Sequence, residues 1–238
     1  MRKSYDKPLL TEDYLIRMIN MMLAALARLV GLKTASQYQS ASQVIDETLE
    51  GIFGLRADLV RRLDDSVLLA HLTYHGALDG DQATLVADLF REEGEILAAR
   101  GLPYQAYWSS LRALNFYLEV SLNSAPASLP PPDDKILALY DQLEGYTLPM
   151  DTNYQLFVYF DKRGEYGLAE VMLRKLIEGT GRQEDVLGEA EAFYRRLADL
   201  PDQALEAGGI SRSAVEVGLD RRYPAPSEPG LNTGFPGG

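Results

Sequence analysis

The chain has 238 residues, 46% of them hydrophobic, and no cysteine, so it can fill a sizeable core unaided, whereas disulfides, thiolate nucleophiles and cysteine-rich zinc sites are excluded. Its net charge of -12 is unevenly placed: residues 1–33 hold six Lys/Arg against three Asp/Glu, which leaves -15 on the other 205 residues. A body of that sign repels phosphate backbones, so no nucleic-acid partner is expected, and the lack of cysteine agrees with a reducing cytoplasm.

In chain order, residues 1–33 come first as an amphipathic N-terminal helix. Thr11 is placed to cap it, and the run from Glu12 to Lys33 carries a narrow polar stripe of Asp13, Arg17, Asn20, Ala24, Arg28 and Gly31. Leu15, Ile16, Ile19, Met22, Leu23, Leu26, Leu29 and Val30 occupy most of the remaining circumference, so the helix must bury most of its surface. Three partners are open to it: the body of the protein, a second copy, or a membrane surface met through residues 12–33. A spanning segment or signal peptide is not expected, because a charge such as Arg17 or Arg28 near mid-bilayer costs roughly 2.5–3.5 kcal/mol and no A-x-A-like cleavage site follows. The expectation is a cytoplasmic, untargeted chain.

"TASQYQSASQ", residues 34–43, is polar, small and aperiodic, and reads as a linker. Residues 44–222 then form one helical body. Short helical pieces, "VIDETLEGIFG" and "LRADLVRRLDDSVLLAHLTYHG", break at Gly51, Gly54 and Asp64-Asp65-Ser66. "LDGDQ" is a turn with Asp81 placed to cap the next helix, Gln82 to Arg100. A second helix, from Pro103 to about Leu122, makes a hairpin with it that turns at Gly101. No helix crosses the Pro-rich stretch "NSAPASLPPPDD"; after it, Asp133 or Asp134 caps a helix reaching Leu143. A second helical hairpin spans Asn153 to Gly179 and pivots on Gly164. "EDVLGEAEAFYRRLADL" gives one more helix, and "SAVEVGLDRRY" a last one with a Ser213/Glu216 capping box. Nothing alternates with period two, so a sheet is not expected. The Pro/Gly-rich tail, residues 223–238, is expected to be disordered.

The two hairpins share a spacing. Gly94, Gly101, Ala106 and Ala113 are set at the same intervals as Phe157, Gly164, Ala169 and Leu176. The pattern resembles the tetratricopeptide repeat, in which small side chains stand where paired helices cross and a Gly turns between them. Leu97 and Phe160 fill its large position and Tyr166 its aromatic one, while Pro103 and Phe157 depart from it. The resemblance implies an all-α fold: antiparallel, tetratricopeptide-like hairpins forming a short α-solenoid behind the long N-terminal helix. A second likeness runs from Asp13 to Arg222. "DYLIRMINMMLAALARLVGLK", "LRADLV" and "VADLFREEGEIL" resemble a family of uncharacterised bacterial helical proteins with a domain of unknown function, which implies no activity, cofactor or catalytic residue.

Residues that could carry chemistry are few. His71 and His75 in "HLTYH" have the spacing of one helical turn, but without H-E-x-x-H or a cysteine they are expected in ordinary polar contacts, with no metal bound. Asp64-Asp65 and Asp133-Asp134 read as caps, and Glu92, Glu93 and Glu95 as the solvated side of a helix. Tyr104, Tyr107, Trp108, Phe116 and Tyr117, at helical spacing, read as core. "AGGISRS" lacks any phosphate-loop signature and reads as a turn.

The expected function is therefore non-catalytic, without cofactor: a helical-repeat interaction or scaffold module for an unknown protein or peptide partner. Its groove would present Asp88, Arg91 and Glu95 from the first hairpin and Tyr154, Asp161 and Lys162 from the second. The alternative places function in the N-terminal helix, as a membrane-surface or self-association element.

Overall fold

A computed structural model describes the backbone of residues 7–124 and 127–220, with side chains from Asp13 onward. The tail expected to be disordered, residues 223–238, lies outside the described residues. The structure is mostly helical and divides into two compact units between Thr147 and Leu148.

The first unit contains α1 (Lys7–Thr34), α2 (Tyr38–Phe53), α3 (Ala57–Val60), α4 (Asp65–His71), strands β1 (Thr73–Tyr74) and β2 (Ala77–Leu78), α5 (Gly80–Ala99), α6 (Pro103–Asn123) and α7 (Asp133–Gln142). At its centre is α5, which packs on α6, α1 and α2. Leu85, Val86, Leu89, Phe90 and Ile96 are buried along it, each contributing about 1.5–3 kcal/mol of transfer free energy. The expected hairpin of α5 and α6 is present. Gly101 turns it at φ 73°, a left-handed conformation that glycine adopts without strain. The small-residue crossing is also real, because a Cβ on Gly94 would meet Ser110 Oγ at 2.5 Å and the Ala106 carbonyl oxygen at 3.3 Å.

Several expectations for this unit are corrected. The helix α1 begins at Lys7, so Thr11 stands inside it rather than before it. The linker expected at residues 34–43 shrinks to a short turn, since α2 already starts at Tyr38; Ala41, Val44 and Ile45 seat its first turns in the core. Gly51 lies within α2, 3.2 Å from Met21 Sδ of α1 if given a Cβ, and the helix stops at Gly54, whose φ of 65° makes a left-handed cap. A small sheet exists: β1 and β2 pair antiparallel through a two-residue turn in which His75 and Gly76 both have positive φ, 53° and 81°. Two-residue strands are too short to show alternation, and the turn has the paired positive φ angles that suit tight hairpins. Asp79, not Asp81, caps α5 by accepting from the Gln82 amide at 3.0 Å. Asp81 instead accepts from the Ser128 and Leu129 amides, holding the Pro-rich loop against the start of α5.

The second unit contains α8 (Met150–Lys162), α9 (Tyr166–Gly179), α10 (Glu184–Ala198), α11 (Asp202–Ala207) and α12 (Arg212–Asp220). The hairpin of α8 and α9 pivots on Gly164, at φ 76°. Phe157, which departs from the repeat pattern, is buried with its ring 5.5 Å from Phe193 of α10. Close approach occurs elsewhere, where Gly167 donates its amide to the Gly208 carbonyl at 2.8 Å and leaves no room for a side chain beside Gly209. Ser211 caps α12 through the Ala214 amide, two residues ahead of the expected Ser213.

Candidate functional site

The charged residues expected on the outer side of α5 are the clearest departure from the sequence reading. Asp88, Glu92 and Glu93 are buried, because α5 is covered around most of its circumference. Each carboxylate has a cationic partner on a different element. Lys33, at the end of α1, bonds Glu92 at 2.6 Å and also Glu95. Arg61, just after α3, bonds Glu93 through Nε at 2.7 Å and Asp46 of α2 at 2.5 Å, while Ser109 of α6 donates to the other Glu93 oxygen at 2.7 Å. Asp88 accepts from Tyr117 of α6 at 2.5 Å and Lys135 of α7 at 2.6 Å. Arg91 bridges Glu92 and Glu95 at 2.6 and 2.7 Å. The acidic side of α5 thus ties α1, α2, α6 and α7 to it, and the residues expected to line a groove, Asp88, Arg91 and Glu95, take part in this ion network, with Asp88 buried and Arg91 and Glu95 partly exposed.

Two other arginines work in a similar way, and the sequence reading missed both. Arg112 of α6 bonds Asp65 at 2.7 Å and donates to the carbonyls of Leu63, Val60 and Arg61, with its guanidinium 5.2 Å from the Phe90 ring centre. In the second unit Arg212 bonds Asp202 at 2.8 Å and donates to the carbonyls of Ala198, the last residue of α10, and of Leu200 just beyond it. A cation on the carbonyls left unpaired at a helix end satisfies acceptors that the helix cannot.

The remaining candidates sit as follows. In the second unit Asp161 accepts from Arg196 through both oxygens at 2.6 Å, which ties α8 to α10. Tyr154 and Lys162 are exposed. His71 ends α4, with its Nε2 3.1 Å from the Ile52 carbonyl and its ring against Phe53. His75 stands in the β-turn, so the two histidines do not share a helical face.

The aromatic row of α6, expected as core, divides in two. Ala106, Ser110, Ala113 and Tyr117 stand at the middle of the buried face of α6, while Tyr104 and Trp108, one turn apart, lie about 150–170° away around the helix. Phe116 and Tyr117 are buried, whereas Tyr104 is 72% and Trp108 49% exposed. Trp108 meets Tyr104 at 6.2 Å and Tyr107 at 5.1 Å, both edge-on, and Tyr107 lies 4.7 Å from Tyr146. Tyr107 donates its hydroxyl to the Thr147 carbonyl at 3.3 Å. The result is an outward cluster of four aromatic rings on the first unit.

The buried network has a pH signature. Burial, and then the neighbouring charge of Asp88, push the Tyr117 phenol well above its ordinary 10.0. Burial alone would lower Lys33, but hydrogen bonds and charge from Glu92 and Glu95 outweigh it and raise the ammonium above 10.5. Both groups hold their protons more tightly folded than unfolded, so their contribution is complete below about pH 10 and is lost as pH rises through the folded values. A group that has lost its proton only in the unfolded chain gives a decline of about 1.4 kcal/mol per pH unit. Urea unfolding between pH 9 and 11 should therefore show falling stability, and Tyr117→Phe, with no phenol to ionise, a shallower slope.

A family model described as a family of unknown function (DUF6483) matches residues 9–222. No curated protein and no solved structure matches the chain.

Proposed function

The chain belongs to the DUF6483 family of unknown function, and from that premise we propose that it is a non-catalytic, cytoplasmic interaction or scaffold module that binds a protein partner. The observation that carries this reading is the outward cluster of exposed Tyr104, Trp108 and Tyr146 around half-buried Tyr107. Tyr and Trp are the residues that concentrate binding energy at protein interfaces, because a large rigid ring is buried at little cost in conformational entropy. Edge-on contacts of Trp108 with Tyr104 and Tyr107, and the tilted contact of Tyr107 with Tyr146, hold them in place before a partner arrives. The hairpins turned at Gly101 and Gly164 are read as degenerate tetratricopeptide-like units of a short solenoid, which agrees with a scaffold role. Exposed Tyr154 and Lys162 remain candidate contacts in the second unit.

Trp108 is the single tryptophan, so its emission reports directly on this cluster. Partners captured from lysate should be lost with Tyr104→Ala/Trp108→Ala and retained with Lys162→Ala, and a purified partner should shift the emission to shorter wavelength. Unchanged capture by the double variant would remove the aromatic cluster from the interface.

A second reading, that function lies in α1, has its own support. Asp13–Thr34 is long and apolar enough by composition to cross a membrane, with mean hydropathy 1.7, and little of it is buried. Its outward apolar face would meet a membrane surface or another copy.

A further inference from the structure

We propose that the outward aromatic cluster of the first unit binds an arginine-bearing segment of a protein partner, with Asp141 and Glu144 supplying the pairing charge. This rests on the reading above, that these rings are the interaction surface, and names the chemistry of what they bind.

The rings alone do not select an occupant. Exposed Tyr and Trp side chains stack on nucleic-acid bases, sit at the edge of a lipid bilayer, or hold a cation over their faces. Charge decides among the three. From Gly101 to Thr147 the chain carries two cations, Arg112 and Lys135, against five carboxylates. Both cations are turned inward, Arg112 to Asp65 and the Leu63 carbonyl, Lys135 to Asp88. At the end of α5, Arg100 bonds Ser42 of α2.

The carboxylates next to the cluster are not compensated in this way. Asp141 and Glu144 are exposed, and neither has an ion pair among the described residues. Glu144 stands two residues before Tyr146, in a tight turn where the Glu144 and Tyr146 amides bond the Asp141 and Leu143 carbonyls at 3.3 and 2.9 Å. Tyr107 packs on Tyr146 and donates to the Thr147 carbonyl, so the cluster runs directly into this acidic turn. The negative charge reaches Tyr140, whose phenol is held above its ordinary 10.0 by burial first and then by Glu144 and Asp141. The turn also follows the C-terminal end of α7, where the helix carbonyls add negative potential. At the Tyr104 end, the N-terminus of α6 meets the C-terminus of α5 across the Gly101 turn, and the two dipole ends offset each other.

Such a border repels phosphate, whether of nucleic acid or of anionic lipid. A guanidinium gains twice, because its plane stacks on an indole or phenol face while its N–H groups pair with a carboxylate. The chain builds the same combination internally. Arg112 lies 5.2 Å from the Phe90 ring centre while bound to Asp65, and Arg196 lies 5.8 Å from that of Phe193 while bound to Asp161.

The test uses the full chain, whose single tryptophan, Trp108, reports from within the cluster. At low ionic strength a capped heptapeptide of alternating glycine and arginine should change Trp108 emission saturably, with half the effect below about 1 mM, while its glycine–glutamate counterpart should not. Asp141→Lys/Glu144→Lys should weaken binding of the arginine peptide by about tenfold or more. Glu184→Lys/Glu189→Lys, the same change of net charge at exposed positions of α10, should weaken it by less than about twofold. All four side chains are exposed, so both circular dichroism spectra should be unchanged. No saturable response to the arginine peptide, or equal weakening by the two double variants, overturns the proposal. If capture of partners is then still lost with Tyr104→Ala/Trp108→Ala, the rings remain an interface and only the arginine chemistry fails; if capture is unchanged, the reading of the rings as an interface fails with it.

Discussion

Arg61→Ala is expected to lower the free energy of unfolding by about 3 kcal/mol, read from urea denaturation at pH 7.5. The guanidinium lies between Glu93 and Asp46, and Glu93 is the buried member of the set. Removing the cation leaves a carboxylate in the interior with Ser109 as a remaining donor, and an uncompensated buried charge costs far more than the ion pair itself contributes. Arg195→Ala is the control. Its pair with Glu191 joins two solvent-exposed side chains one helical turn apart, so the change should stay within about 0.5 kcal/mol. Comparable losses for the two variants would mean that the α5 carboxylates are solvated.

Gly94→Val should be at least as damaging, lowering stability by about 3 kcal/mol. Its first added carbon already falls 2.5 Å from Ser110 Oγ and 3.3 Å from the Ser110 amide nitrogen and the Ala106 carbonyl oxygen. The hydroxyl can rotate away, but the backbone of α6 cannot move without opening the hairpin. Gly188→Ala tests the sign of the argument. That residue lies inside α10 with nothing within 4 Å of a new Cβ, so the substitution should stabilise by about 1 kcal/mol through helix propensity alone. Thermal denaturation of both variants separates steric exclusion at the crossing from a general preference for alanine in helices.

The helices themselves were legible because their signals are local. Gly101 and Gly164 mark their turns by type and position, and both have the positive φ that such turns require. The apolar rows of α5 and α6 repeat within a few residues. The role of the charges on α5 was hidden for the opposite reason. Glu92 meets a lysine 59 residues away and Glu93 an arginine 32 residues away, and periodicity in apolar residues cannot separate a carboxylate facing water from one facing a distant cation. The early start of α2 was obscured by its small polar residues, Ser40 and Ser42, on either side of buried Ala41. The caps were expected two residues late, at Asp81 and Ser213, because Asp79 and Ser211 are residues of the same types and only backbone direction decides between them. The outward aromatic cluster was half legible. Tyr104, Tyr107 and Trp108 stand out by type, but which side of α6 meets α5 depends on Gly94 seating Ala106 and Ser110.

The acidic residues of α5 hold the first unit together through pairs with Lys33, Arg61 and Lys135. A double-mutant cycle of Arg61→Ala and Glu93→Ala, followed by urea unfolding, tests it most directly. A coupling energy of about 2 kcal/mol or more is expected, with the double variant far less damaged than the sum of the singles. A coupling near zero, with each single change costing under about 0.5 kcal/mol, would contradict it.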